Sequence, residues 1–315
     1  MSRAASQLPR SDDWRRSRRG YNLAMEALAA VLVLSLAAGQ AGGSVEAWLD
    51  RLCEEAEVFR HAAPKLIGRE TLRQRALQPR PRFRPRIGKE ATEPPKPEYR
   101  TREIVSEYTF GTLRESPGVL HEFRQVVSVD GRQLRTAEQA RRKLVSGMRS
   151  ADDHLKRRLL EQFERYGLRG AAADFGPLIL LFTRRRLAGY SFQQSGRGRV
   201  GAEAAVVISF RETPGAESLT IFEGSRAVRV PVEGHLWLRE NDGLPLRIAL
   251  ESRRQQDGAT VLDQATVDYV MSPHGVLVPA SVVRRRLIGD LLVVEDVFQY
   301  SSFRMFAADA EIKFP

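Results

Sequence analysis

From Tyr190 onward the chain is cut at short intervals by turn formers, and the pieces between the cuts read as strands. The pieces are Tyr190–Gln194, Ala204–Glu212, Leu219–Glu223, His235–Arg239, Leu246–Glu251, Thr260–Tyr269, Val276–Leu287 and Leu291–Tyr300. Pro214-Gly215, Asn241-Asp242-Gly243, Asp257-Gly258 and His274-Gly275 separate them, dipeptides and tripeptides that supply the dihedrals a tight turn needs. Links this short join antiparallel neighbours, because a parallel crossover takes a dozen residues or more. The sequence therefore commits this half to an antiparallel meander with one apolar face, and that face requires a cover.

The preceding residues supply candidates for the cover. Thr136 suits a helix cap, and Leu155, Leu159, Phe163 and Tyr166 form a stripe at helical spacing, so a helix is expected over 136–166, ended by Gly167 and Gly170. Pro177–Phe182 is an apolar run, either a short helix or a buried loop. Before them, Ile104–Phe110 alternates with period two and Phe123, Val127 and Val129 continue on a second strand that closes at Asp130-Gly131, which gives a hairpin. Ser44 caps a further helical pattern through Trp48, Leu52, Ala56 and Phe59 that fades after Leu77. Alternating prolines at 79, 81 and 85 and again at 94, 95 and 97 then forbid helix, so 78–98 reads as an extended Pro/Arg-rich linker.

The amino end reads as an export signal. Arg15-Arg16-Ser17-Arg18-Arg19 precedes an apolar stretch from Ala27 to Ala38, followed by the small-residue exit Gly39-Gln40-Ala41. About a dozen apolar residues are short for a membrane span, which takes roughly 20. The expectation is a signal peptide over 1–41 and a periplasmic or secreted protein. Ser17-Arg18-Arg19-Gly20-Tyr21 fits a twin-arginine core, so Sec and Tat export both stay open. The division that follows is 1–41 signal, 42–77 helical segment, 78–98 linker and 99–315 β-rich domain.

A net charge of +11 invites a nucleic-acid reading, but the charge is local. Residues 1–24 carry net +4 and residues 71–100 net +6, while everything after residue 100 carries only net +4. No nucleic-acid partner is expected. The basic linker is a candidate contact for a membrane surface or an acidic partner.

Motifs for chemistry are weak. Gly196–Gly201 spells G-x-G-x-x-G, but the residues after it, Ala204–Phe210, are β-branched and aromatic and read as a strand, where a dinucleotide site needs a helix. The five histidines, His61, His121, His154, His235 and His274, are scattered without metal-ligand spacing, and no order of Ser, His and Asp selects a triad. No catalytic residue, metal or cofactor is expected. The lone Cys53 has no disulfide partner in the chain. Arg184-Arg185-Arg186 and Arg284-Arg285-Arg286 read as a rim of ion pairs.

Aromatic and apolar residues on the expected sheet and helix are the remaining signal. Tyr108, Phe110, Phe123, Leu155, Leu159, Phe163, Phe210, Phe222, Trp237, Tyr269 and Phe298 line a ligand cavity if the sheet is curved and incompletely filled, and form core if it is filled. The carboxy-terminal series Gly234-His235-Leu236-Trp237-Leu238, Asn241-Asp242-Gly243-Leu244-Pro245-Leu246-Arg247, Val267-Asp268-Tyr269, Gly275-Val276-Leu277-Val278-Pro279 and Tyr300-Ser301-Ser302-Phe303-Arg304 resembles the LolA/LolB-like periplasmic lipoprotein carriers. The resemblance spans residues 190–310. It implies an α+β fold, a curved antiparallel half-barrel covered by helices, with an apolar cavity for acyl chains and no catalysis. The alternative is a periplasmic interaction or scaffold module that docks a partner through 44–98.

Overall fold

The computed structural model describes residues 44–79, 96–150, 152–169, 174–216, 219–223 and 226–306. The expected signal peptide and most of the expected linker lie outside them. Among the described residues the chain forms an open sheet of 11 antiparallel strands and a separate two-stranded hairpin.

Helix α1, Val45–Ala62, opens on Ser44, whose hydroxyl accepts the N–H of Ala47 at 3.3 Å. It buries Trp48, Leu49, Leu52, Cys53, Ala56 and Phe59 on one face. Here the structure corrects the sequence reading. The helix does not run on to Leu77; after a 3-10 turn at Ala63–Lys65 the chain becomes strand β1, Leu66–Leu77. The inward positions of β1 include Glu70 and Gln74, both buried, so the alternation of the strand is real in burial and invisible in hydropathy.

Strands β2 (Tyr99–Leu113) and β3 (Ser116–Val129) form the expected hairpin, and β4 (Arg132–Gln133) extends it. The two sides of the expected linker meet, with the Gln78 N–H donating to the Glu98 carbonyl at 2.9 Å. The stretch between them thus connects two neighbouring strands, β1 and β2, rather than two bodies.

The expected helix over 136–166 is two helices. Helix α2, Ala137–Arg149, starts at a capping box between Thr136 and Gln139, and α3, Asp153–Tyr166, starts at Asp152, whose carboxylate accepts the His154 N–H at 2.8 Å. Ser150 is extended and breaks the run between them. The apolar stretch becomes a 3-10 segment, Gly176–Phe182, and leads through the single turn α4, Arg184–Leu187, into β5.

Strands β5 (Tyr190–Val200) and β6 (Glu203–Glu212) pair, β7 (Leu219–Glu223) and β8 (Arg226–Val230) pair apart from the main sheet, and β9 (Glu233–Arg239), β10 (Pro245–Gln256), β11 (Ala259–Met271), β12 (Leu277–Ile288) and β13 (Leu291–Met305) make a continuous meander. The order across the sheet is β4-β3-β2-β1-β13-β12-β11-β10-β9-β6-β5. First and last strands are therefore central neighbours, with Leu72 of β1 opposite Phe298 of β13 and Ile104 of β2. The inner face carries rows such as Ile208, Leu236 and Ile248, all at 0% exposure, beneath α1 and the 3-10 segment. Helices α2 and α3 cover β2 and β3, where Ile67, Leu113, Phe123, Leu144 and Leu159 form a second cluster.

Candidate functional site

The inner face collects most of the aromatic residues singled out in the sequence. Tyr108, Phe110, Phe163, Phe210, Tyr269 and Phe298 join one cluster with Phe59 of α1 and Phe182 of the 3-10 segment. The rings meet edge to face: Phe59 and Phe110 at 5.1 Å, Tyr108 and Phe110 at 5.0 Å, Phe182 and Phe210 at 5.0 Å. Phe123 and Leu159 fall in the second cluster. Leu155 stays 41% exposed on the first turn of α3, because the helix restarts at Asp153 and buries only from Leu159. Trp237 points to the other face, since Leu236 and Leu238 on either side of it are inward at 0% exposure. Phe222 lies on β7, and its side chain is outside the described set.

Sequence reasoning missed the polar groups within this apolar face. The Arg124 guanidinium is buried between Glu70 at 2.8 Å and Glu122 at 3.0 Å. The Tyr108 hydroxyl donates to Glu122, whose carboxylate also accepts the backbone N–H groups of Phe175 and Gly176, each at 3.1 Å. Burial pushes the Glu70 carboxyl up against the opposing pull of Arg124, and pushes the Tyr108 and Tyr300 hydroxyls well up. The Tyr269 hydroxyl donates to the Gly176 carbonyl at 2.8 Å and accepts the Ile179 N–H at 3.0 Å. Together Glu122 and Tyr269 anchor the 3-10 segment to the sheet as far as Ile179, the Cys53 thiol of α1 donates to the Phe182 carbonyl at 3.1 Å, and the side chains of Leu178, Ile179, Leu181 and Phe182 add apolar contact. Gly176 is required here: a Cβ would stand 2.3 Å from a Glu122 carboxylate oxygen.

Further along the inner face lies a second polar group. Asp296 accepts from Gln74 at 2.7 Å and Arg284 at 3.0 Å, and Asp263 accepts from Arg254 at 2.6 Å and Arg286 at 2.7 Å. The triplet 284–286 is thus split by strand alternation, with Arg284 and Arg286 inward and Arg285 outward on Glu295.

The structure also assembles a Ser-His-Asp relay that the sequence did not reveal. His121 stands with Nε2 3.0 Å from the Ser116 hydroxyl and Nδ1 2.8 Å from the Asp174 carboxylate. The partners are 5 and 53 residues away in the chain, so no local motif marks them. The relay lacks a usual companion. In a nucleophile elbow the residue after the serine donates its N–H to the oxyanion; here that residue is Pro117, which has none. Asp174 meanwhile uses its other oxygen to accept the Glu122 N–H at 2.6 Å, with its own φ at +66°. The relay ties the start of β3 to Asp174, two residues before the 3-10 segment. Among the described residues no cluster of three His, Cys, Asp or Glu side chains is placed to hold a metal ion, and no helix is long and apolar enough to cross a membrane.

No family model matches the chain, and no curated protein matches it. Solved structures do. A DUF1329 family protein from Desulfovibrio piger aligns at 9% identity over 86% of this chain and 95% of its own, with a TM-score of 0.36. A LolA superfamily protein from Nitrosomonas europaea aligns at 11% identity over 85% of this chain and 97% of its own, TM-score 0.30. A domain assigned to outer membrane lipoprotein sorting, from Vibrio parahaemolyticus, aligns at 11% identity over 84% and 94%, TM-score 0.32. Members of the superfamily that the carboxy-terminal motifs resemble are thus among its solved structural neighbours.

Proposed function

We propose that the protein is a non-catalytic binding protein of the bacterial envelope that takes the acyl part of a lipid or lipoprotein between the inner face of its sheet and the cover formed by α1 and the 3-10 segment. The observation that carries this reading is the nature of the cover. It is not a strand of the sheet; Glu122 and Tyr269 pin its 3-10 segment between Phe175 and Ile179, the Cys53 thiol of α1 donates to the Phe182 carbonyl within the cover, and the other contacts to the sheet are made by replaceable apolar side chains. Tyr108, Phe110, Phe210, Tyr269 and Phe298 form the floor on which an acyl chain would lie, with Phe163 of α3 in the same cluster.

The energetics set a length threshold. Uncovering Leu178, Ile179, Leu181 and Phe182 costs about 1.5–3 kcal/mol each, or roughly 6–12 kcal/mol together, whereas each buried methylene returns about 0.8 kcal/mol. Exchange therefore favours chains of about ten methylenes or more. Protein purified from a membrane-rich source is expected to carry extractable acyl lipid by mass spectrometry. It is also expected to bind a fluorescent fatty acid, displaced by long-chain and not by short-chain acids. Tyr269→Phe removes one of the two polar pins of the 3-10 segment, leaving that of Glu122, and is expected to speed uptake severalfold. Absence of both lipid and chain-length dependence would sink the reading.

A further inference from the structure

We propose that the opposite face of the sheet holds a second, polar site that takes a neutral oligosaccharide strand. A trough of about 830 Å³ runs across β5, β6 and β9–β12 on the side away from α1 and the 3-10 segment, within the volume range of ordinary ligand sites. One cross-strand row crosses it: Arg211 of β6 stands opposite Glu233 of β9, Glu233 opposite Glu251 of β10, Glu251 opposite Gln264 of β11, and Gln264 opposite Arg285 of β12. Each ends in a planar group with paired donors or acceptors, and strand spacing sets them about 4.8 Å apart. That interval is close to the advance per sugar along an extended glycan.

Charge selects the class of ligand. The row holds two cations and two anions, and these are already matched: Arg211 to Glu233 at 2.7 Å, Glu251 to Arg253 at 2.8 Å, Arg285 to Glu295 at 2.5 Å. A matched row offers no net field to a phosphate, an anionic headgroup or a polycation. Gln264 donates to the second Glu251 oxygen at 3.3 Å, so the row offers the outward lone pairs and N–H groups left after these pairings, the complement of a chain of uncharged hydroxyls. His235 lines the trough, and Trp237, two residues along β9, adds a half-buried ring on the same side beyond its lining, with the Arg247 guanidinium 5.9 Å from the ring centre. An aromatic plane beside planar polar groups suits the apolar C–H face of a sugar ring.

The test is isothermal titration of the full chain with two uncharged linear tetrasaccharides, maltotetraose and tetra-N-acetylchitotetraose. Saturable binding of at least one is expected, unchanged between low and high sodium chloride because no net charge is neutralised. Gln264→Ala and Glu251→Gln should each weaken it about fivefold, the factor carried by one lost hydrogen bond. Arg285→Lys, which keeps the charge and the fold but loses the planar fork, should do the same. No saturable binding of either sugar, affinity untouched by all three variants, or steep salt dependence would each overturn the proposal. So would self-association through this face, read by sedimentation. Fatty-acid displacement is read in a separate assay, so failure of either site leaves the other standing.

Discussion

Arg124 is 2% exposed, and its guanidinium carbon lies 5.3, 4.5 and 5.5 Å from the ring centres of Tyr108, Phe163 and Phe298. Two carboxylates and three rings have replaced water around one cation, and the arrangement holds only while every member is present. Arg124→Met leaves Glu70 and Glu122 buried without a cation, and is expected to cost about 3–5 kcal/mol of unfolding free energy, read by denaturant titration. Adding Glu70→Gln and Glu122→Gln to it should restore more than half, since both uncompensated buried charges are gone, although the amide oxygen at position 122 can accept only one of the Phe175 and Gly176 N–H groups that Glu122 takes on separate oxygens. Asp263 offers a pH test. Burial opposes its charge, but hydrogen bonds from Arg286 and Arg254 and the nearby guanidinium charges outweigh that and hold its carboxyl below the usual range. A depressed folded value gives stability that is present above the unfolded value of about 3.9 and lost as pH falls through the folded one. The gap in urea midpoint between the wild-type chain and Asp263→Asn should therefore be widest at neutral pH and close in the acid range below about pH 4. A gap that stays constant with pH would refute the assignment. None of these groups was legible beforehand, because a buried Glu or Arg and a solvated one have the same letter. Only pairing across distant strands tells them apart.

Among elements, the legible ones were those bounded by turn chemistry. Asp130-Gly131 and Asp257-Gly258 both take positive φ at successive residues, +50° and +76° in the first, +50° and +78° in the second, as a two-residue hairpin turn demands. Strands flanked by such turns fell near their observed positions. The element that was misread, β1, has Pro64 before it and polar Glu70 and Gln74 on its inward side, so it lacks both signals. The helix pair α2 and α3 was read as one because its stripe continues in phase across a break made by Ser150, a residue with no strong breaking preference. Two glycines inside strands separate kinds of close approach. A Cβ on Gly234 would stand 2.0 Å from the Ala249 carbonyl oxygen, a backbone atom of the paired strand β10. One on Gly111 would meet chiefly the Met148 methyl at 2.1 Å, the end of a flexible side chain. Gly234→Ala is therefore expected to cost about 3 kcal/mol, the upper end for overpacking, and Gly111→Ala about 1 kcal/mol or less as Met148 swings aside. Thermal midpoints of the two variants give the comparison, and equal losses would contradict it.

For the molecule as a whole, the consequential fact is that β1 lies between β2 and β13, so the first and last described strands close one sheet at its centre. The segment 44–77, which composition sets apart as a helical arm before a linker, supplies α1 to the core and β1 to the middle of the sheet. A chain beginning at Tyr99 would lose both. It would expose two strand edges, at β2 and β13, with their backbone donors and acceptors unpaired. Such a chain is expected to show no cooperative unfolding transition, and adding the 44–79 segment as a separate peptide should recover one. The linker behaves in the opposite way. Since Gln78 already bonds to Glu98, replacing residues 80–95 by Asn-Gly asks the sheet only for a turn its geometry accepts. A shorter loop also lowers the entropy cost of joining β1 to β2, by about 0.6 kcal/mol per halving of length. The excised chain should melt at or slightly above the parent temperature in differential scanning calorimetry, with fatty-acid binding retained. If excision lowers the midpoint by many degrees, residues 80–95 contribute to the fold and the connection is more than a strand link. If stability holds and ligand binding falls, the basic residues of that stretch take part in recognition instead.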